Sequence, residues 1–378
     1  MYRAPAVFEY YTSHFGRPTV FISAAGRANI IGEHTDYHEG FVMPFAIDKG
    51  IHFCAGPSES KEGKILSLDF DESYVYDAPP AKGSWQLYVH GLIQDIKKKY
   101  EITQIPNIVF GGDLPMGAGV SSSSALCCGL IETFDQYYHL GLSPLDKVLW
   151  ASAIEHGTGV RGGKMDQYAI CNGQTGSAML LDCRTMLHKI IALPESWQFL
   201  LINTGVKHNL AFTAYNERRA EAESALELLK VQFPQLKTLR DAEVSQIEQV
   251  LEKGSKAYNR AMHVVTENKR VLAFELSATI GDIRSAGRLL DQSHQGLRDL
   301  YEVSCPELDY LQELASKTSS IFGSRMMGGG FGGCTLHLIQ EWNEEEIKGI
   351  QLAYEKKFGH FPASFVVHPA QGLIRHEF

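Results

Sequence analysis

The chain of 378 residues lacks long apolar runs, C-x-x-C pairs and an excess of basic residues. No segment approaches the roughly 18 consecutive apolar residues of a membrane-spanning helix, and the amino terminus is charged where a secretion signal needs an apolar core. The odd number of cysteines, seven, is typical of reduced thiols in a cytoplasmic protein. The net charge of −9 argues against nucleic acid or an anionic membrane as a partner. We therefore expect a cytoplasmic protein with no nucleic-acid and no membrane partner.

Two common nucleotide-binding signatures are also missing. The glycine-rich part of the chain has no Gly-Lys-Ser/Thr, so it is not a Walker A loop, and it has no third glycine or acidic ribose ligand of the Rossmann type. What it has instead is L-P-M-G-A-G-V-S-S-S-S-A-L over residues 114–126. A strand-like run at 107–110 enters this segment, and a helix-like run at 125–138 leaves it.

The residues of this segment have the chemistry of an anion site. Gly117 and Gly119 permit positive φ values and close backbone approach, which lets several N–H groups point inward. Serines 121–124 then occupy the first helical turn, where free N–H donors and the helix dipole favour a phosphate. We interpret the segment as a nucleotide phosphate loop, although a serine-capped helix after a tight turn has the same local pattern.

A second segment, residues 24–40, packs charged groups between glycines and β-type apolar runs. It contains Arg27, Glu33, His34 and Asp36. Such groups are costly beside a core unless they are paired or face a cleft. A polyol is a natural ligand, because its hydroxyls need donors and acceptors in fixed places. A surface turn with solvated charges is the alternative.

A third segment, residues 155–167, follows a helix predicted over 143–155. Glu155 and Asp166 bracket its glycine-rich loop and are suited to a metal ligand and a general base, respectively. Each of them, taken alone, also fits a solvated acid or a helix cap.

The length of the chain exceeds the size at which one core stops growing, so we expect two domains. The predicted secondary structure changes near residue 194 from strands to long helices, and we place the domains at residues 1–194 and 195–378. Five glycines between positions 328 and 333 then exceed what a hairpin requires. They indicate backbone held close to another loop or a ligand, or alternatively a mobile hairpin.

Together these segments resemble the three motifs of a superfamily of small-molecule kinases that includes galactokinase, homoserine kinase, mevalonate kinase and phosphomevalonate kinase. The stretch G-R-A-N-I-I-G-E-H-T-D-Y-H-E-G at 26–40 is similar to the galactokinase signature specifically. M-D-Q at 165–167, L-L-D-C-R at 180–184 and the run at 292–309 also resemble galactokinases. The likeness extends from about residue 17 to the end of the chain.

The resemblance implies a fold and a reaction. The fold is α/β (α+β) with an amino-terminal mixed-sheet domain, which contains a left-handed βαβ phosphate-loop unit, and a ferredoxin-like carboxy-terminal domain. The active site lies in the cleft between them. The reaction is the phosphorylation of the C1 hydroxyl of galactose by ATP with Mg²⁺. Sugar and ATP are then the small-molecule partners of a monomeric enzyme.

The resemblance also implies roles for residues of this sequence. The catalytic residues are Asp166 as the acid/base and Arg27 beside it. The residues expected to contact the sugar are Glu33, His34, Thr35, Asp36, Gly163 and Tyr215. The residues expected to bind ATP are Gly117, Ala118, Gly119, Val120, Ser121, Ser122 and Ser123. Magnesium is expected on Ser123 and Glu155, with Ser122 as the alternative hydroxyl.

The sequence departs from galactokinases around the predicted base. Glu155 lies eleven residues before Asp166, where twelve is usual, and G-G-K-M-D-Q stands in place of C-G-I-M-D-Q. The shorter spacing resembles N-acetylgalactosamine kinases, which however usually have Ile at the position of Thr35. Lys164 fits neither pattern and either faces outward or contacts a phosphate or an acidic sugar. Three functions follow: a galactokinase, the same chemistry on another sugar, or a sugar sensor without turnover.

Overall fold

The structure, a computed structural model, describes residues 3–77, 80–81, 83–115, 117–159, 162–207 and 211–378. The strands are β1 (Val20–Asn29), β2 (Phe41–Val42), β3 (Pro44–Gly56), β4 (Ile65–Ser67), β5 (Glu72–Tyr74), β6 (Asn107–Gly112), β7 (Ser177–Asp182), β8 (Leu187–Ala192), β9 (Gln198–Lys207), β10 (Ile321–Met326), β11 (Gly332–Ile339), β12 (Ala363–Val367) and β13 (Leu373–Arg375). The helices are α1 (Ala4–Phe15), α2 (Gln86–Tyr100), α3 (Ser122–Tyr138), α4 (Pro144–Gly157), α5 (Met165–Asn172), α6 (Ala211–Gln232), α7 (Val244–Val250), α8 (Lys256–Ile280), α9 (Ile283–Gln295), α10 (Pro306–Ala315) and α11 (Glu344–Phe358). Met116, Val160 and Arg161, which belong to the predicted loops, lie outside the described residues.

The amino-terminal half is built on a mixed sheet with the strand order β13-β1-β3-β6-β4-β5. Its neighbouring strands are antiparallel except β4 and β6, which run parallel and have α2 between them in the chain. Helix α3 packs across β1 and β3 and is buried on nearly all sides. An apolar sequence without a polar stripe is what such a helix requires. The mixed sheet is confirmed, and the left hand of the crossover stays a prediction.

The carboxy-terminal half contains an antiparallel sheet with the order β10-β11-β9-β12, covered by helices that include α9, α10 and α11. A smaller sheet of β2, β7 and β8 belongs to the amino-terminal half, where β7 packs against β3. The expected two-domain α/β arrangement is confirmed. The boundary near residue 194 falls between β8 and β9 and stays a proposal, since β13 returns to pair with β1 of the first sheet.

One expectation about the local structure is wrong. The alternating pattern at residues 64–76 predicts a single half-exposed strand, whereas the structure has the short antiparallel pair β4 and β5. The chain reverses between them through Asp71, which adopts a left-handed φ of 50°. Acidic residues tolerate that conformation because their short side chains bond locally to the backbone.

Glycine is required where α9 crosses β10. A Cβ atom on Gly287 would lie 2.0 Å from the carbonyl oxygen of Phe322, so the two backbones touch directly. We expect Gly287→Ala to lower the free energy of unfolding by about 1–3 kcal/mol, because the neighbour is rigid backbone. Gly349→Ala on α11 is the matched control, since nothing lies within 4 Å of its added Cβ. The control should stabilise the protein slightly, by up to about 1 kcal/mol. Urea denaturation measures both, and equal effects would contradict the contact.

Candidate active site

Three loops meet around a cavity of about 390 Å³. The first follows β1, the second joins α4 to α5 and the third joins β10 to β11. The lining residues include Arg27, Glu33, His34, Asp36, Ser123, Ser124, Glu155, Gly163, Asp166, Gln167, Tyr215 and the glycines at 328–330. The fold thus brings together in one cavity most of the side chains that were predicted for the sugar, the metal and the chemistry.

An ion pair between Arg27 and Asp166 forms one wall of this cavity. Arg27 lies on β1 and is 5% exposed, and Asp166 lies in the first turn of α5. The guanidinium donates from Nε to Oδ1 at 2.7 Å and from Nη2 to Oδ2 at 2.8 Å. Burial would lower the pKa of Arg27, but Asp166 outweighs it and the net pKa shift is upward. The contact is therefore bidentate, with two parallel N–H···O bonds from the guanidinium.

The glycine–serine loop lies directly against this ion pair. The Arg27 guanidinium donates to the Gly119 carbonyl oxygen at 2.5 Å, and the Arg27 backbone N–H donates to the Val120 carbonyl oxygen at 3.1 Å. Gly117 and Gly119 both have φ values of 71°, as the sequence predicts. The loop borders a cleft of about 240 Å³ lined by Gly117, Ala118, Gly119, Val120, Ser121, Ser122, Ser123, Gly328 and Gly329, among others.

The third glycine-rich segment approaches the same loop. A Cβ atom on Gly328 would lie 3.8 Å from the Gly119 carbonyl oxygen, and one on Gly330 would lie 2.1 Å from the Val303 carbonyl oxygen. Gly328 and Gly330 have φ values of 81° and 83°. The prediction that these glycines hold backbone close to another loop is confirmed by this geometry.

Glu155 is held inside the cavity by hydrogen bonds. Its Oε2 accepts from the Ser124 hydroxyl at 2.8 Å and from the Gln167 amide. Burial raises the pKa of Glu155, although the bonds from Ser123, Gln167 and Ser124 oppose this rise. Ser123 borders both the cavity and the loop cleft, whereas Ser122 borders the loop cleft but not the cavity.

Glu33 is tied to a residue that the sequence did not single out. The Arg325 Nη2 atom donates to Glu33 Oε1 at 2.5 Å, and the Gly328 N–H donates to the same oxygen at 2.8 Å. Three further N–H donors of Arg325 bind the carbonyl oxygens of Asn29, Ile30 and Met326 at 2.7–2.9 Å. Burial raises the pKa of Glu33 against the pull of Arg325. One buried ion pair thus joins the first and third loops.

Asp36 and Gly163 lie in direct contact at the mouth of the cavity. A Cβ atom on Gly163 would lie 1.9 Å from Asp36 Oδ2, so only glycine fits there without movement. Burial, and after it the nearby Asp166, raises the pKa of Asp36 to about 7. This carboxyl therefore changes its charge near neutral pH, a property that is common at functional sites.

An aromatic cluster closes the other side. His34, in a left-handed conformation with φ of 62°, bonds through Nδ1 to the Tyr37 hydroxyl at 2.7 Å. Its ring packs 5.3 Å from the ring of Tyr215 and 4.9 Å from that of Tyr301. Burial lowers the pKa of His34 to about 3, so its imidazole is neutral. His34 and Tyr215, two of the residues predicted to contact the sugar, line the cavity.

Thr35 and Lys164 do not line the cavity. Thr35 is fully buried, and its hydroxyl lies 2.8 Å from the carbonyl oxygens of Gly32 and Phe41, where it holds the loop after β1 in shape. The structure therefore does not support Thr35 as a sugar contact. Lys164 is exposed at the start of α5, which is the outward-facing alternative of the sequence analysis.

A second cavity of about 450 Å³ opens on the far side of the serine loop. Its apolar walls include Phe70, Trp85, Tyr88, Phe110, Leu114 and Leu126. Ser122 and Ser123 border it as well, so the loop lies between a cavity that contains charged side chains and one lined mainly by aromatic and aliphatic side chains. An apolar cleft beside a glycine–serine loop suits the base of a nucleotide whose phosphates lie on the loop.

Comparisons with known proteins agree with this geometry. The chain matches the models for the galactokinase galactose-binding signature at residues 9–57, the GHMP kinases N terminal domain at 88–174 and the GHMP kinases C terminal at 273–360. It is 33% identical to a galactokinase of Roseiflexus sp. (strain RS-1), with 97% of this chain and 96% of the relative covered. It is 35% identical to a galactokinase of Glaesserella parasuis, with 97% of each covered.

Solved structures place the fold in the same superfamily. Lactococcus lactis galactokinase in complex with galactose superposes with a TM-score of 0.91 at 30% identity, and 98% of this chain and 99% of that chain are covered. Mevalonate kinase of Methanococcus jannaschii, at 16% identity and a TM-score of 0.66, shares the fold alone.

The fold and the loop that faces an Arg–Asp pair define a small-molecule kinase of the GHMP superfamily. Within that class, the chain belongs to the galactokinase family and is a sugar kinase. No helix among the described residues is long and apolar enough to span a membrane.

Proposed function

We propose that this chain transfers the γ-phosphoryl group of ATP to the anomeric C1 hydroxyl of galactose. The observation that carries the proposal is the Arg27–Asp166 pair, which stands in the wall between the cavity and the serine loop. The identity to galactokinases and the superposition on a galactose complex support galactose as the substrate. The sugar would lie against Glu33, His34, Asp36, Gly163 and Tyr215, which line or border the cavity.

In this proposal Asp166 takes the proton of the C1 hydroxyl while the hydroxyl oxygen attacks the γ-phosphorus. The bond from that phosphorus to the β-phosphate oxygen breaks, and ADP leaves. A sugar hydroxyl is a poor nucleophile, and the developing charge sits mainly on phosphate oxygens, so positioning and cations matter most. Arg27 holds the Asp166 carboxylate in place, and it adds positive charge near the transferred group. The N–H groups of residues 117–123 would hold the ATP phosphates.

The residues around Glu155 fit the magnesium ion that the family implies. Mg²⁺ binds oxygen donors, usually one or two carboxylates together with substrate phosphates and water. Glu155 and the Ser123 hydroxyl supply such donors at the junction of the cavity and the loop cleft. The described residues contain no group of three or more His, Cys, Asp or Glu that would hold a metal without further ligands. When bound, the ion would neutralise charge on the phosphate oxygens.

Two alternatives keep the same site. N-acetylgalactosamine or another hexose is the first, because Gly162 and Lys164 depart from the usual galactokinase sequence, and Gly162 lines the cavity. A sugar sensor without turnover is the second, and the intact Arg27–Asp166 pair counts against it.

The first test is ADP release from Mg-ATP with galactose, N-acetylgalactosamine, glucose, mannose and galacturonate. We expect rapid turnover with galactose, and a ³¹P and ¹H NMR spectrum of the product that shows phosphate on C1. If another sugar were phosphorylated faster, that sugar would replace galactose as the proposed substrate, and the proposed mechanism would be unchanged. A product phosphorylated at another hydroxyl would refute the assignment of C1, and no turnover with any sugar would favour the sensor.

Galactose binding is expected to depend on the charge of Asp36. A pKa of about 7 leaves about one carboxyl in ten ionised at pH 6 and about nine in ten at pH 8. An ionised carboxylate is the better acceptor for a sugar hydroxyl, so the dissociation constant of galactose should fall up to roughly tenfold from pH 6 to pH 8. Calorimetry at both pH values measures it. Asp36→Asn binds more weakly and should lose this pH dependence; an unchanged pH dependence in that variant would assign the titration to another group.

A further inference from the structure

The four consecutive serines of the loop point to different partners. Ser122 borders the nucleotide side of the loop, and Ser123 and Ser124 lie at Glu155. Ser121 alone reaches the predicted base, since its hydroxyl donates to Asp166 Oδ2 at 2.5 Å. Among the four serines, Ser121 is therefore the one whose hydroxyl binds the carboxylate of Asp166.

The backbone of Ser121 explains how its side chain reaches Asp166. Ser121 is the residue before α3 and has φ of 59° and ψ of 52°, in the left-handed region. A serine before a helix normally has an extended backbone, and its hydroxyl accepts a bond from an N–H of the first turn. Ser121 makes no such bond. The left-handed turn directs the hydroxyl away from the helix end, and it leaves the first-turn N–H groups uncapped by this side chain.

The left-handed conformation is costly for serine. A residue with a Cβ atom is strained in that region, whereas glycine would adopt the same turn without strain. Strained backbone of this kind is often found at functional sites. Serine differs from glycine at this position by its hydroxyl. The bond from that hydroxyl to Asp166 therefore offsets the strain of the left-handed backbone.

The bond also determines which oxygen of Asp166 is available. Each carboxylate oxygen accepts about two hydrogen bonds. Oδ2 accepts from Arg27 Nη2 and from Ser121, and so is filled. Oδ1 accepts only from Arg27 Nε among the described residues. One acceptor position on Oδ1 is thus left for a hydroxyl in the cavity.

We propose that Ser121 is a positioning residue for Asp166, which holds Oδ2 and leaves Oδ1 to accept the proton of the sugar hydroxyl. The inference rests on the proposed kinase function. In this inference Ser121 acts on the base that receives the proton of the sugar, whereas the resemblance to the kinase family places Ser121 among the residues that bind ATP. Because the same residue begins α3, the base and the phosphate loop then keep their relative positions.

The experiment compares Ser121→Ala, Ser121→Gly and Ser122→Ala with the wild-type enzyme in steady-state ADP release. Both Ser121 variants should lose on the order of 10-fold to 100-fold in kcat, while the KM values for ATP and galactose change less than about twofold. Ser121→Gly separates the two effects, because it removes the hydroxyl and also relieves the backbone strain. Ser122→Ala should instead raise the KM for ATP.

Calorimetric ATP binding shows whether each variant keeps its loop, and Ser121→Ala should bind ATP as tightly as the wild type. A weaker ATP affinity with unchanged kcat would make Ser121 a phosphate ligand and overturn the proposal. Wild-type kcat in Ser121→Gly would also overturn it, since the hydroxyl would then have no role. In both cases the wild-type enzyme still turns over, whereas failure of the kinase function itself appears as an inactive wild type.

Discussion

Asp166→Asn is expected to lower kcat by on the order of 10²-fold or more, because an amide has the shape of the carboxylate but cannot accept the proton of the sugar hydroxyl. ATP binding should persist, since the loop and the Glu155 region do not need the charge of Asp166. Steady-state ADP release gives kcat, and calorimetry gives the ATP dissociation constant. Turnover close to that of the wild type would exclude Asp166 as the acid/base.

A matched control exists in the same chain. Asp182 is also bound by an arginine in a bidentate contact, from Nη1 and Nη2 of Arg240 at 2.5 and 2.9 Å, and it does not line the cavity. Asp182→Asn removes a comparable ion pair and is expected to leave kcat within about twofold of the wild type, with at most a modest loss of stability. If both variants lost the same activity, the effect of Asp166→Asn would come from a broken ion pair and not from the missing base.

The sequence predicts much of the candidate site because its local signals are strong. Gly117 and Gly119 have the positive φ values that a turn into a helix requires, and α3 begins within the run of serines. The pairing of Arg27 with Asp166 is a different matter, since 139 residues separate them. No spacing or periodicity connects such residues, and only the resemblance to a kinase family placed them together.

Arg325 shows what the sequence does not reveal. It stands among strand-like residues next to a glycine run, where an arginine is ordinarily solvated, and its side chain is fully buried. That burial depends on β10 lying beside the loop after β1, a long-range arrangement that no local pattern contains. Thr35 illustrates the same limit in the other direction, because the hydroxyl of this motif residue bonds to backbone carbonyl groups of its own loop, and the residue does not line the cavity.

Arg325→Gln is expected to damage both stability and sugar binding. Arg325 uses four of its five N–H donors within the protein, and its loss leaves Glu33 buried without its partner. Breaking a buried ion pair from one side typically costs about 3–5 kcal/mol. Because Glu33 also accepts from Gly328, its displacement should disturb the cavity and raise the KM for galactose by on the order of tenfold or more. Urea denaturation and steady-state kinetics measure the two effects.

A double variant distinguishes the loss of the pair from a general loss of packing. Glu33→Gln in the Arg325→Gln background removes the unpaired carboxylate, whose pKa burial already raises while Arg325 is present. The double variant should therefore be more stable than Arg325→Gln alone, with a coupling free energy of about 1 kcal/mol or more between the two positions. Its galactose KM should remain high, because neither amide restores the carboxylate. Strictly additive losses of stability would mean that Arg325 supports the loops through its bonds to backbone carbonyls and not through Glu33.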